Sequence, residues 1–203
     1  MKILNAEYLT TVVTPEKRKF SEIPEICFIG RSNVGKSSLI NRLVMRKIAR
    51  TSSTPGATRA INLYTIHYEF EELRKWVIFS DFPGFGYAKV AKSIYQSWEL
   101  MIDAYITKNP SIQRLVWVFD IRRDPDALDE TVLEWAWHSR LPFCIILTKS
   151  DKEGRSSVMR KKDSLMRKFQ LNDIFVFSAK TGYGRDDVLA YLLLSLTTPK
   201  NNE

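Results

Sequence analysis

GRSNVGKSS, from Gly30 to Ser38, has the spacing G-x-x-x-x-G-K-S and lies between an apolar run, EICFI at Glu25 to Ile29, and an amphipathic run, SLINRLV at Ser38 to Val44. A strand, a loop and a helix are expected in that order, the context in which this spacing cradles phosphate. Gly30 and Gly35 lack a Cβ, so the backbone can turn through positive φ and aim several N–H groups at phosphate oxygens. The helix that follows points its N-terminus at the same anion. Lys36 would set a point charge on the β and γ phosphates, and the Ser37 hydroxyl would ligate a Mg2+ that keeps most of its waters. Arg31, Ser32, Asn33, Val34 and Ser38 are counted with the loop as nucleotide-binding positions.

With 203 residues, 44% of them hydrophobic, the chain suits one substantial core and is short for two. The start, MKILNAEYLTTVV, lacks the uninterrupted apolar segment of a signal peptide, and no run reaches the length of a membrane span. Cys27 and Cys144 each sit in an apolar, strand-like run with no ligand spacing to each other or to His67 and His138, so buried free thiols in a reducing cytoplasm are expected. Net charge is +8. Lys152 to Lys168 holds seven basic residues against two acidic ones, and Arg42, Arg46, Lys47, Arg50 and Arg59 form a second group. A solvated face explains such runs, and so does a phosphate-rich partner such as RNA. Trp98, Trp117, Trp135 and Trp137 lie on helical or strand patterns suited to core packing, and nothing points to DNA.

Apolar runs at Ile61 to Phe70, Trp76 to Ser80, Leu115 to Asp120, Phe143 to Thr148 and Ile174 to Ser178 read as further strands. Helical patterns cover about Ser93 to Thr107, Asp126 to Ser139, Ser156 to Phe169 and Arg185 to Leu196. This alternation predicts an α/β three-layer sandwich around a mostly parallel six-stranded sheet. Only the second and third strands follow each other directly, with EELRK as the turn, so an antiparallel edge strand is expected there. Residues 1–24 read as an appended arm, residues 25–198 as the nucleotide-binding domain and residues 199–203 as a tail.

Ligands of doubly wound sheets collect at the carboxyl ends of the strands, and three further motifs fall there. DFPG supplies Asp81, to hold Mg2+ through a water, and Gly84, whose N–H would touch the γ-phosphate; Phe82 and Pro83 lie between them. TKSD, Thr148, Lys149, Ser150 and Asp151, follows the fifth strand. The Asp151 carboxylate can accept two hydrogen bonds from guanine, whereas adenine offers it an acceptor, and the Lys149 stem would lie on the base plane. SAK follows the sixth strand: Ser178, Ala179, whose N–H could meet the guanine carbonyl, and Lys180. STPGATR precedes the second strand and reads as a first switch segment, with Gly56, Ala57, Arg59 and Ala60 near the nucleotide and Thr58 as a second Mg2+ ligand in the γ-phosphate state.

GRSNVGKSSLIN, TPGAT, DFPGFGYAKV, TKSD and FSAK together resemble the YihA/EngB/YsxC family of bacterial GTPases, within the TRAFAC class. The resemblance implies a Ras-like GTPase domain, GTP and GDP with Mg2+, a role in assembly of the large ribosomal subunit, and a requirement in cell division and septation; a cytoplasmic monomer is expected. The sequence departs from the family's usual residues at Phe82, Phe85 and Ala57. Phe85 stands where many GTPases carry a water-orienting Gln, so slow intrinsic hydrolysis is expected, with Lys36, Thr58, Gly84 and Asn33 as the catalytic set. Relatives with a similar G-x-x-N loop hold K+ through the Asn; alternatively Asn33 only stabilises the turn. An ATP-using P-loop enzyme would share Gly30 to Ser37 but has no use for TKSD. A nucleotide-gated RNA- or division-protein-binding module, with turnover incidental, is the other alternative.

Overall fold

The computed structural model describes residues 1–14, 21–50, 60–85, 92–194 and 196, and within 92–99 the backbone alone. Its strands are β1 (Lys2–Val12), β2 (Glu25–Ile29), β3 (Ile61–Phe70), β4 (Leu73–Asp81), β5 (Ile112–Asp120), β6 (Phe143–Thr148) and β7 (Ile174–Val176). Its helices are α1 (Lys36–Val44), α2 (Lys92–Lys108), α3 (Ala127–His138), α4 (Arg155–Phe169) and α5 (Arg185–Leu194). The strands form one sheet in the order β1-β3-β4-β2-β5-β6-β7. From β4 to β7 all pairings are parallel, and the antiparallel ones are confined to the β1–β3–β4 edge.

The sheet thus has seven strands where six were expected. Residues 2–12 of the presumed arm are its edge strand, paired with β3 from Lys2↔Glu69 to Val12↔Ile61. Two irregularities, between Ile3 and Asn5 and between Tyr8 and Thr10, shift the register. Bulges of this kind break the two-residue alternation by which a strand is recognised and make an edge a poor template for further pairing. The β3–β4 turn is also tighter than EELRK suggested. Only Glu71 and Glu72 lie between the strands, with φ of 49° and 64°, the positive values of a two-residue hairpin.

The central strands alternate across two cores. Leu115, Trp117 and Phe119 of β5, with Ile145 and Leu147 of β6, join Ile102 and Tyr105 of α2, Val132 and Leu133 of α3 and Leu165 of α4. Val116 and Val118, with Cys144 and Ile146, join Leu39, Ile40 and Leu43 of α1 and Val188 and Leu192 of α5. That is the expected three-layer sandwich, with both cysteines buried as thiols outside any disulfide. Trp117 is in the core and Trp135 packs against it, but Trp137 is 52% exposed. The buried face of α3 runs through Asp129, Val132, Leu133 and Ala136, which turns position 137 outward. The side chain of Trp98, residues 53–59 and 86–90, and the tail at 199–203 lie outside the described residues. Among the described residues no helix is long and apolar enough to cross a membrane.

A buried carboxylate ties α2 to the strands that carry the site. Glu25 is fully buried at the start of β2. Its Oε1 accepts from Ser80 Oγ and from Tyr105 Oη at 2.5 Å, and its Oε2 from Asn109 Nδ2 at 2.9 Å. Charge-assisted bonds from three side chains offset the desolvation of the carboxylate and fix α2 on the sheet.

Candidate functional site

Parallel strands bring the carboxyl ends of β2, β4, β5, β6 and β7 to one edge of the sheet, and the phosphate loop, DFPG, TKSD and SAK meet there. The loop after β2 depends on two glycines. A Cβ on Gly30 would come within 2.4 Å of the Val118 carbonyl oxygen, and Gly35 caps α1 at φ 104°. Asn33 is exposed and left-handed at φ 63°, a conformation that Asn tolerates better than most residues. Val34 instead points into the core.

The charged centre of the loop is buried. Lys36 Nζ donates to the carbonyl oxygens of Gly30 at 3.2 Å and Arg31 at 3.4 Å. Burial pushes its pKa down, opposed by the charge of Asp81. Burial likewise pushes the Asp81 carboxyl up, opposed by Lys36 and by the Ser37 hydroxyl, which donates to Oδ2 at 2.9 Å. Asp81 Oδ1 is buried and has no hydrogen-bond partner among the described residues. Such an oxygen is costly without a cation or donor. No three His, Cys, Asp or Glu side chains cluster as a metal site among the described residues. One hydroxyl and one carboxylate, with the remaining ligands from phosphate and water, suit Mg2+.

DFPG leaves β4 alongside the loop. Phe82 turns into the core, edge-on to Tyr105 at 5.3 Å, so only its backbone faces the site. Gly84 lies on Ser32: a Cβ there would meet the Ser32 Cα and N at 2.7 Å. Phe85 is buried and pairs with Arg31 in an isolated parallel bridge.

TKSD and SAK line a cavity of about 710 Å3 that opens between them and α1; Gly35, Ser38, Arg42, Lys149, Asp151 and Ala179 are among its walls. Lys180 lines it as well. Thr148 Oγ1 donates to the Val34 carbonyl oxygen at 2.6 Å, and Lys149 Nζ to that of Asn33 at 2.6 Å, so this segment braces the phosphate loop. Asp151 Oδ1 accepts from Ser178 Oγ at 2.6 Å. That bond, opposed by burial, holds the Asp151 carboxyl below the usual range. Ser150 N–H bonds the Phe177 carbonyl oxygen at 3.2 Å, joining the two segments a second time. Ala60 is half-buried at the start of β3, while Gly56, Ala57, Thr58 and Arg59 lie outside the described residues.

Several supporting residues carried no local sequence signal. Asp120, at the end of β5, accepts from Lys149 Nζ at 2.9 Å and from Arg122 at 2.9 and 2.6 Å. Asn41 fastens the chain leaving α1, accepting from the N–H groups of Ile48 and Ala49 and donating to Ala49 O at 2.8 Å. Arg185 Nη2 reaches the Leu43 carbonyl oxygen at 2.8 Å and caps the end of α1. Arg31 Nε bonds Asp129 Oδ1 at 3.0 Å. These partners are far apart along the chain, except Arg122 with Asp120 and the Asn41 contacts, and none falls into a recurrent spacing.

Fold and site together define the phosphate-loop GTPase class. Residues 25–149 match the family model described as 50S ribosome-binding GTPase. A protein of Exiguobacterium sp. named "Probable GTP-binding protein EngB" is 40% identical over 92% of this chain and 93% of its own length. One of the same name from Syntrophus aciditrophicus is 38% identical over 93% and 94%. A crystal structure of an EngB protein superposes with a TM-score of 0.65 at 26% identity, covering 85% of this chain and 98% of that one. Aquifex aeolicus Era bound to GDP and AlF4− shares the fold, with a TM-score of 0.72 at 22% identity over 90% of this chain and 59% of that one. The chain belongs to the EngB family of GTP-binding proteins, and its activity is GTP hydrolysis.

Burial opposes ionisation of Asp120, but the bonds from Arg122 and Lys149 outweigh it and hold the carboxyl at about 2, against an ordinary value of 3.8. The stability this cluster provides is complete above the ordinary value and is lost as pH falls through the lower one. Thermal unfolding of the wild type and Asp120→Asn should therefore differ most at about pH 6, with the gap narrowing toward about pH 3. A gap independent of pH would show that the ion pairs contribute nothing.

Proposed function

We propose that this GTPase works as a slow switch on the large ribosomal subunit, reading guanine through Asp151 and Lys149 and the γ-phosphate through Lys36, Gly84 and Thr58. The observation that carries the guanine reading is the placement of Asp151, oriented by Ser178, in the cavity that runs to Gly35 and Ser38 at the phosphate loop. An ionised carboxylate there accepts from the ring N–H and amine of guanine, and a site built on such bonds rejects adenine strongly. Ser37 and Asp81, with Thr58, would hold Mg2+, which neutralises charge on the β and γ phosphates. Lys36 adds its own charge at the same place, and the buried Phe85 has no group with which to orient water.

The ribosomal partner is supported by the description of the matching family and by unbalanced positive charge. The basic run at Lys152 to Lys168 is partly neutralised: Lys161 pairs with Asp124, and Lys168 with Glu130 at 2.7 Å. Arg160 is exposed and Lys162 half-buried on the same helix. Family membership also supports a cytoplasmic role in cell division and septation. K+ held near Asn33 would add positive charge at a site where Phe85 supplies no water-orienting group.

Three outcomes are expected. Asp151→Asn exchanges a preference for GTP for one for XTP in nucleotide competition; undiminished GTP affinity with no gain for XTP would sink the guanine reading. The protein sediments with large ribosomal subunits more in GTP than in GDP, and removing Arg160 and Lys162 weakens this and flattens its dependence on salt. An unaltered salt slope marks a merely solvated face. Hydrolysis rises in K+ over Na+ at equal ionic strength, and Asn33→Gly, which preserves the left-handed φ, removes the difference. Equal rates in the two salts eliminate the potassium reading.

A further inference from the structure

Three side chains converge on Arg31. Its Nε donates to Asp129 Oδ1 at 3.0 Å and its Nη2 to Asp126 Oδ1. Its guanidinium carbon stands 5.7 Å from the centroid of the Phe85 ring. Asp129 is fully buried and the Arg31 side chain is only 14% exposed, so the pair is shielded from solvent. The two acids are themselves fixed, because they form the capping box of α3: Asp126 accepts from the Asp129 N–H, and Asp129 accepts from the Asp126 N–H at 3.2 Å. Arg31 therefore hangs on a rigid helix end and presents a cation to an aromatic ring on the turn after β4.

That turn lies directly on the phosphate loop. Ser32 N–H donates to the Phe85 carbonyl oxygen at 3.1 Å, and Ser32 Oγ to that of Gly84 at 3.2 Å. The contact leaves less room between Gly84 and Ser32 than a methyl group needs. On the reading that a γ-phosphate meets the Gly84 N–H, it would enter beside this contact and compete with it for the turn. GDP makes no such demand. Any interaction that strengthens the contact lowers the population able to accept GTP and leaves the GDP-competent population alone.

We infer that Arg31 is a positioning residue for nucleotide choice: anchored on the α3 cap and holding the Phe85 ring, it keeps the DFPG turn on the phosphate loop and biases the protein toward GDP. This rests on the reading that Gly84 meets the γ-phosphate. Arg31 also sits in the phosphate loop, so its replacement weakens both nucleotides through the loop; the ratio of the two affinities cancels that common effect.

The test measures dissociation constants of GDP and a non-hydrolysable GTP analogue for the full-length protein. Arg31→Gln should raise the preference for the GTP analogue about three- to tenfold, the range expected from losing one desolvated cation–π contact that holds the turn on the loop in the predominant state. Asp126→Asn keeps the helix-capping oxygen but weakens the anchor, so it should move the ratio in the same direction by less. Arg31→Lys should lie between Arg31→Gln and the wild type. A ratio that stays constant or falls in both Arg31→Gln and Asp126→Asn overturns the inference. Hydrogen exchange across residues 82–85 in the wild type tests the Gly84 contact apart from Arg31. No difference between the GDP and GTP-analogue states would overturn the Gly84 reading and the inference with it, whereas a clear difference with an unchanged ratio would overturn the role of Arg31 alone.

Discussion

A phosphate loop works only if its N–H groups stay turned toward one point, and a short glycine-containing loop does not hold that shape unaided. Here the shape is imposed from outside. The Val118 carbonyl oxygen stands within 2.4 Å of where a Cβ of residue 30 would be, the Thr148 hydroxyl holds the Val34 carbonyl, and the Lys149 ammonium holds that of Asn33. Strands β5 and β6 thus act on the loop through their carboxyl ends, and the residues expected to read the base also brace the phosphate site. Displacing β6 would disturb both halves of the site together.

Bracing of this kind carries a cost in stability. Lys36 and Asp81 are buried with pKa values pushed toward their neutral forms, and one Asp81 oxygen has no partner among the described residues. A core built for stability alone would fill this place with apolar groups. Anionic phosphate beside the lysine and a cation beside the aspartate would relieve both penalties at once, so ligand binding and local stability are coupled at these two residues. Glu25 is the contrasting case, a buried carboxylate whose two oxygens both find donors from the surrounding protein.

The backbone links between Ser32 and the Gly84–Phe85 turn give the site a second property. They join the end of β2 to the continuation of β4, as if the parallel ladder ran a little beyond its strands. A group entering there competes with strand pairing, and the energy involved is that of a few hydrogen bonds, small enough for a phosphate to overcome.

Much of this was legible in the amino-acid order. Residues that must lie next to each other to cradle phosphate or face guanine come in short segments, and the period of the apolar runs places each segment after a strand, so GRSNVGKSS, DFPG, TKSD and SAK could be assigned to one edge of a parallel sheet. Edge strand β1 escaped this reading because two register shifts erase its alternation, and the outward turn of Trp137 depended on which face of α3 the core selected. Arg31 with Asp126 and Asp129, Lys149 with Asp120, and Arg185 with the end of α1 belong to the tertiary structure alone. The chemistry of a site is carried by local residue type and spacing, whereas the partner of a charged side chain is whichever group the folded chain brings within hydrogen-bond reach, and that distance is a property of packing.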